Sequence, residues 1–275
     1  MKRLVTWVAL SALALGCGDS SSSSQQVELA FAAVVGTEPF VCDREYQDLG
    51  ANGTSLVLSD FRFYVQNVEL KNASGDWVPV TLTQNNFQID NVVLLDFENG
   101  CGDLGTPELN DKIIGTVSQG EYDGVRFRMG VPVELNHADA STAAGPLGLT
   151  SMFWNWRGGY KFLRIDSGAF SMTDWRMHLG STGCGMGTPT APPEAPCTNE
   201  NRVEVEFDTF DAQTDTVVAD FAALVDNAPV DDNADGTPFG CMATPDDPDC
   251  GPIFKNLGLA FGDQQAGTQI FFSAE

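Results

Sequence analysis

The sequence has few basic residues: 14 lysines and arginines stand against 38 aspartates and glutamates, for a formal net charge of −24. Nucleic-acid binding and electrostatic docking on anionic lipid both need clustered lysines and arginines. The composition therefore argues against both functions. An acidic surface suits solubility, a basic partner or bound cations.

Several catalytic motifs are also missing. The chain has no G-x-S-x-G nucleophile elbow, no H-E-x-x-H zinc motif and no C-x-x-C-H haem attachment motif. The stretch "GCGDLG" formally matches a dinucleotide-binding pattern, but Pro107 permits only a stub of the helix that would bind the pyrophosphate. We therefore expect a binding protein and not an enzyme.

The first 16 residues, "MKRLVTWVALSALALG", combine a basic start with an apolar run, which predicts an export signal too short to span a membrane stably. The stretch "LALGC" resembles the lipobox of bacterial lipoproteins, so acylation of Cys17 is predicted. The alternative is an ordinary signal peptide in which Cys17 is incidental. The lipidated cysteine and a polar serine-rich tether would occupy residues 17–26, and one domain would occupy residues 27–275.

Gly18 and not aspartate directly follows Cys17, and by analogy with enteric bacteria this favours the outer membrane, facing the periplasm or the cell surface. Lipid on Cys17 would be the only membrane anchor, because no later segment is long and apolar enough for a span.

The cysteines agree with an exported protein. Setting Cys17 aside leaves an even number, which predicts disulfides. They are Cys42, Cys101, Cys184, Cys197, Cys241 and Cys250. Six cysteines allow fifteen pairings, and the sequence does not select one. Cys184 with Cys197 and Cys241 with Cys250 each bracket a proline-rich loop, which would leave Cys42 with Cys101.

Runs of alternating polar and apolar residues recur along the chain, separated by turn-forming clusters. Examples are "QVELAFAAVV", "SLVLSDFRFYVQNVEL", "GVRFRMGVPV" and "RVEVEFDTF". This pattern predicts an all-β fold, an antiparallel β-sandwich of Greek-key type with the general architecture of immunoglobulin and cupredoxin domains. Helix is scarce: Thr106 could cap a short turn, and "VADFAALVD" fits a helix or a buried strand.

The loop-rich region 231–252 contains half of a calcium motif. In "DDNADG", Asp231, Asn233 and Asp235 alternate before a glycine, as in calcium loops, but Met242 stands where a bidentate glutamate is needed. A weaker site completed by nearby aspartates is one interpretation. A solvated acidic loop with Asx turns is the other.

Only two histidines occur, His137 in "LNHAD" and His178 in "RMHLG". A lone histidine is usually a structural residue. Here, however, both are predicted near strand ends and beside Trp or Met, and imidazole with thioether suits copper rather than calcium. Met152 and Met177 are the methionines considered.

The stretch "SMFWNWRGGYKF" places Trp154 and Trp156 one residue apart, and strand alternation would send both to the same face. They either fill the core or contribute to a site. Trp175 stays in consideration because it is close in sequence to His178.

Five ordered segments resemble the MbnP-like copper-binding proteins, the metallo-mystery-pair family with a four-cysteine motif. They are Asp60–Leu70, Leu94–Gly100, Met129–His137, Met152–Arg164 and Met177–Cys184. The resemblance extends over roughly Val27 to Glu275. It departs from the family pattern at Phe87, where a Trp-Gln pair is common, and in the additional cysteines Cys241 and Cys250.

The resemblance implies a function. Family members are exported and paired with a di-haem cytochrome c peroxidase-like partner, which in characterised examples oxidises a tryptophan to kynurenine, and the product binds copper(I). Carried over to this chain, His137 and His178 would be the imidazole ligands. Trp154, Trp156 or Trp175 would be the tryptophan that is modified.

Two other functions compete with copper binding. One is a calcium-dependent recognition module that contacts glycans or protein through the "DDNADG" loop and exposed aromatic residues. The other is a copper-dependent or hydrolytic enzyme, which is disfavoured because two histidines and no activated nucleophile leave little catalytic machinery.

Overall fold

The computed structural model describes residues 23–101, 105–167, 174–185, 188 and 190–275. Cys17, the export signal and most of the predicted tether lie outside these ranges. The described strands are β1 (Ser24–Val35), β2 (Glu38–Pro39), β3 (Arg44–Leu49), β4 (Thr54–Asn72), β5 (Trp77–Pro79), β6 (Thr81–Leu82), β7 (Gln88–Ile89), β8 (Val92–Asp96), β9 (Lys112–Ser118), β10 (Tyr122–Met129), β11 (Phe153–Asn155), β12 (Gly159–Tyr160), β13 (Leu163–Ser167), β14 (Arg176–Leu179), β15 (Val203–Phe207), β16 (Thr216–Asp220), β17 (Gly240–Cys241) and β18 (Phe272–Ala274). The helices are α1 (Val133–Asn136), α2 (Phe221–Leu224), α3 (Cys250–Asn256) and two 3-10 helices, Gly145–Gly148 and Thr150–Met152.

Two large sheets pack against each other. Sheet A has the strand order β18-β16-β1-β9-β6, with β2 also on β1. Sheet B has the order β15-β10-β4-β13-β14-β17, with further short strands on β4 and β8. A separate hairpin joins β11 to β12. The all-β sandwich predicted from the alternation is confirmed. The pairing is not antiparallel throughout, because β1 pairs with β16 and β14 with β17 in parallel.

Strand β4 organises sheet B. It is 19 residues long and pairs along its length with β3, β13, β8, β10 and β5. The β4–β10 register shifts between Arg126 and Arg128, opposite Asn67, whose φ of 51° is the left-handed conformation that asparagine tolerates. Because β4 is long and pairs with several strands, the polar residues at the centre of sheet B lie in one row across the sheet.

Aromatic residues from both sheets meet in the core. The ring of Phe31 in sheet A lies 6.4 Å from that of Phe63 and 5.6 Å from that of Phe127, both in sheet B. Phe272 at the end of the chain contacts the same two rings at 5.4 Å each. These edge and tilted contacts join the two sheets and add to the burial of large apolar surfaces.

Three local features differ from the sequence predictions. Strand β1 begins at Ser24, so the domain starts inside the segment predicted as tether, because Ser24 pairs with Ser118 of β9. Thr106 does not cap a helix; its hydroxyl donates to Asp96 instead. The "VADFAALVD" stretch contains both predicted structures, since β16 ends at Asp220, whose carboxylate accepts from Ala222 N–H and caps α2.

Disulfides join Cys42 to Cys101, Cys184 to Cys197 and Cys241 to Cys250. The pairs suggested by the two proline-rich loops are therefore present. Among the described residues, none of the helices is long and apolar enough to cross a membrane.

Candidate metal centre

The outward face of sheet B carries buried charged residues where β4, β13 and β14 are adjacent. Asp60, Arg62, Arg164, Asp166 and His178 are each less than 10% exposed. The strand register explains their proximity, because Arg164 pairs with both Arg62 and His178, and Asp166 pairs with Asp60. The alternate residues of the same strands point into the apolar core. We refer to these five residues as the polar row.

A covering segment keeps the polar row out of water. The two 3-10 helices cross over it, and the backbone carbonyl of Ser151 accepts from Lys161 Nζ at 2.8 Å and from Arg164 at 3.2 Å. Buried charges are tolerated only when they are paired and hydrogen-bonded. Here Arg62 pairs with Asp60, and Arg164 pairs with Asp60 and Asp166.

Strand β14 presents His178 to this row. Its Nε2 lies 2.6 Å from Oδ1 of Asp166, while the other oxygen of Asp166 accepts from Arg164 at 2.6 Å and 2.8 Å. Because an ionised carboxylate accepts hydrogen bonds only, Nε2 carries the proton and Nδ1 carries the lone pair. That Nδ1 is buried and has no hydrogen-bond partner among the described residues.

Electrostatics keep His178 neutral. Burial lowers its pKa below the ordinary value, and the charges of Lys161 and Arg164 act in the same direction, against the attraction of Asp166. Burial alone would raise the pKa of Asp166, but the hydrogen bond from His178 and the charge and hydrogen bonds of Arg164 lower it below its usual range. Burial, with the charge of Arg164 beside it, also lowers the pKa of Lys161 to about 8.

The second histidine lies outside the sheet. His137 follows the short helix α1 and is half-buried. Its Nδ1 lies 3.0 Å from the carbonyl oxygen of Trp156, and its Nε2 lies 3.1 Å from the side-chain amide of Asn136. The carbonyl requires a proton on Nδ1, so Nε2 has the lone pair. Burial lowers the pKa of His137, and Arg202 acts in the same direction.

The three candidate tryptophans occupy different surroundings. The ring of Trp154 packs over Gly180, where an added Cβ would collide with it, so glycine is required there. Gly180 lies two residues beyond His178 and directly follows β14, so the Trp154 ring packs at the end of the strand that carries this histidine. Trp156 follows the end of β11, and its carbonyl orients His137. Because β11 ends at Asn155, the strand alternation that predicted a shared face for Trp154 and Trp156 does not extend to Trp156.

Trp175 lies in the apolar core. It is fully buried, its ring packs edge-on against Phe221 at 5.4 Å, and its Nε1 has no hydrogen-bond partner among the described residues. Met177 is also fully buried. Trp175 and Met177 precede His178 by three residues and by one residue, which are both odd spacings. They therefore lie on the opposite face of β14 from the histidine. Met152 is fully buried as well.

The Cys184–Cys197 disulfide borders two cavities, one at His137 and one at Trp154. Cys197 Sγ lies 3.4 Å from Nε2 of His137, and His137, Cys184 and Cys197 form a group of potential ligands, but the bonded sulfurs are not thiolates. A cavity of about 390 Å³ lies on one side, lined by His137, Cys197 and Ser181 among others. Another of about 360 Å³ is lined by Trp154, Ser181, Cys184 and Met242.

Sequence reasoning missed Met242 as a candidate ligand and considered it only as the residue that spoils a calcium loop. The signal that could have found it is its position directly after Cys241, in a short apolar stretch between two glycine- and proline-rich loops. It also missed Asp166 and Arg164, since the alternation of β13 gives no sign that their face is covered.

The structure does not assemble the predicted calcium loop. The side-chain amide of Asn233 donates to Thr237, and its oxygen accepts from Gly240 N–H, which locks a turn. Asp231 accepts from the side chain of Asn52. Among the described residues, the groups of three or more ligating side chains that meet do not include Asp231, Asp235 or their neighbouring aspartates. The Asx-turn interpretation describes this region.

The sequence and the fold were compared with those of known proteins. The family model MbnP matches residues 24–243. The chain belongs to the MbnP family. Among solved structures, MbnP from Methylosinus trichosporium is similar, with a TM-score of 0.81 and 32% sequence identity over 92% of this chain and 98% of that one. Curated proteins include no match to the chain. The resemblance seen in the sequence motifs is confirmed.

Proposed function

We propose that this MbnP family member is an exported copper(I)-binding protein whose site is completed by oxidation of Trp154 to kynurenine. The observation that carries the proposal is the buried, unpartnered Nδ1 of His178, whose Nε2 is held by Asp166. Histidines that ligate metals usually donate their other ring nitrogen to a carboxylate or a carbonyl in this way. The family assignment supports a copper-associated role.

The donor set fits copper(I). Both histidines have lowered pKa values and are neutral near pH 7, as a metal ligand must be. His137 shows the same arrangement as His178, with a backbone carbonyl in place of the carboxylate. Soft cations of low charge accept few ligands and suit imidazole. When bound, copper(I) would supply a soft, redox-active centre. We assign the role of holding copper(I) to His137 and His178.

Trp154 is the tryptophan that we propose is modified, because its ring packs over Gly180, two residues beyond His178, and lines a cavity open to the surface. Trp175 is enclosed in the core, and Trp156 already orients His137 through its carbonyl. The oxidant would be of the peroxide class, used by a di-haem peroxidase-like partner. Cleavage of the indole C2–C3 bond takes up two oxygen atoms, and hydrolysis of the resulting formamide releases formate and leaves a ketone and an aniline.

The protein would act as a binding protein in copper acquisition or homeostasis and not as an enzyme. Lipid on Cys17 would anchor it to the outer membrane, which remains a proposal because Cys17 lies outside the described residues. We do not propose calcium-dependent recognition, since the side chain of Asp231 accepts from Asn52 and that of Asn233 holds a turn with Thr237.

The test uses the full chain produced with and without a di-haem peroxidase partner. Peptide mass spectrometry should detect kynurenine at position 154 only after co-expression, and copper should remain bound after dialysis against a copper(I) chelator. His178→Ala and His137→Ala should each lose stoichiometric copper. Trp154→Phe should prevent the modification, whereas the matched variant Trp156→Phe should retain it.

Two results would contradict this function. One is stoichiometric copper in a variant that lacks both imidazoles. The other is an unmodified Trp154 after treatment with a partner that is demonstrably active on peroxide, together with full copper binding.

A further inference from the structure

Strand β17 lies beside β14, and Met242 directly follows its last residue. The two strands run parallel, with Arg176 opposite Gly240 and Met177 opposite Cys241. Paired residues of parallel strands point to the same face, and Met177 and Cys241 are both fully buried in the core. His178 and Met242 are the residues that directly follow this pair on the two segments.

The cavity at Trp154 gives an independent indication of where the Met242 side chain lies. Met242 and Trp154 line the same cavity, together with Ser181 and Cys184. Trp154 packs over Gly180, so the tryptophan and the methionine both lie near the end of the strand that carries His178. Met242 is half-buried, which leaves its thioether accessible from the cavity.

Three local restraints fix the backbone around Met242. Gly240 has a φ of 90° and approaches the backbone of Arg176 so closely that a Cβ would collide with it. The disulfide to Cys250 fixes Cys241. Ala243 has a φ of 58°, a conformation that is unfavourable for alanine. Packing of a half-buried methionine does not require such restraint, whereas presenting a ligand atom at a defined position does.

We propose that the thioether of Met242 is a ligand for copper(I) at the site formed by His178 and Trp154. This rests on the copper-binding function proposed above and adds a donor to it. Thioether sulfur is soft and selects copper(I), and it carries no ionisable proton that copper must displace. The Cys241–Cys250 disulfide is additional to the four-cysteine pattern. The proposal gives it a role, because it holds the two-residue strand that precedes Met242.

X-ray absorption at the copper edge, on copper-loaded full chain made with the partner, tests the ligand directly. The unsubstituted protein should show a sulfur scatterer, Met242→Leu should lose it, and its copper(I) affinity should fall by about tenfold or more. Met177→Leu is the matched control. It lies on the neighbouring strand facing the core, is a volume-conserving change, and should keep the sulfur signal. Thermal unfolding of the copper-free proteins should show that both variants are folded.

The outcomes separate this inference from the function on which it rests. Copper bound through nitrogen and oxygen alone in the unsubstituted protein, or a sulfur scatterer that persists in Met242→Leu, would overturn the methionine ligand and leave the copper-binding function standing. Loss of all copper binding in the unsubstituted protein would overturn both.

Discussion

Each histidine has one ring nitrogen with a lone pair, but only that of His178 has no hydrogen-bond partner among the described residues, since Nε2 of His137 accepts from Asn136. His178 lies within a central strand, fully enclosed, and a carboxylate fixes it. His137 follows a one-turn helix, is half-buried, and a backbone carbonyl fixes it. The contrast teaches that one ligand belongs to the rigid sheet and the other to the loops that cover it. Copper capture would then draw a loop onto a site that is already half-formed.

His178, the histidine in the sheet, lies among buried charged residues that pair with one another. Arg62 is fully buried and pairs with Asp60 and, at 3.4 Å, with Glu98. We expect Arg62→Met to lower the free energy of unfolding by about 3–5 kcal/mol, because it leaves buried carboxylates without a counter-charge.

Arg128→Met is the matched control for Arg62→Met. Arg128 pairs with Glu204 on the exposed face of sheet B, and its loss should cost less than about 1 kcal/mol. Urea denaturation of the two variants measures both effects. Equal destabilisation by the two changes would show that the polar row contributes no more than a surface ion pair.

The second test of the difference between the two histidines concerns Asp166, whose carboxylate fixes His178. Asp166→Asn removes the charge and can offer an N–H in place of the acceptor oxygen, so the proton on Nε2 is no longer enforced. We expect copper(I) affinity to fall by about 10- to 100-fold, with the two histidines themselves unchanged.

Asp174→Asn provides the control for Asp166→Asn. Asp174 forms an exposed pair with Arg176 just before β14, and its loss should leave copper affinity unchanged. Chelator competition measures both variants, and nitrogen NMR of the imidazoles reports the tautomer. If Asp166→Asn left both the tautomer of His178 and the copper(I) affinity unaltered, Asp166 would have no positioning role.

The smallest expected effect is the pH dependence of stability and of copper affinity. Both histidines have pKa values lowered from 6.5, so the unfolded chain takes up their protons more readily than the folded one. Their contribution to stability is therefore complete above pH 6.5 and is lost as the pH falls through the lowered values. Copper affinity should change little from pH 8 to 6.5 and decline below that.

Asp166→Asn sharpens this test, because it removes the attraction that opposes burial at His178. The pKa of His178 should fall further in that variant, and that of His137 should not change. NMR titration of the two imidazoles measures this, and a shift at both residues would contradict their independence.

The sequence was sufficient for the sandwich and for the local disulfides. Alternation in β1, β4, β10 and β15 is regular, and Cys184 and Cys197 bracket a short loop that brings them together. The "WNW" pair was misjudged because β11 ends at Asn155, so the alternation that would align Trp154 with Trp156 stops between them. Local turn formation took precedence over the strand period at that point.

The covered polar face could not be predicted. Arg164 and Asp166 alternate with apolar residues, which ordinarily places charged residues in water. Their burial depends on a segment that crosses from elsewhere in the sequence, and a single strand pattern does not encode its neighbour. The same holds for the segment that carries Met242, which is brought to β14 by a parallel pairing between distant parts of the sequence.

The parallel pairing of β1 with β16 has a consequence for how the chain folds. Residue 30 at the start of the domain pairs with residue 216, and β16 in turn pairs with β18 at the end of the chain. Sheet A therefore closes only when the segment that carries β16 and β18 is available. Contacts of such high sequence separation impose a large loop-closure entropy, so the closure of sheet A should be slow.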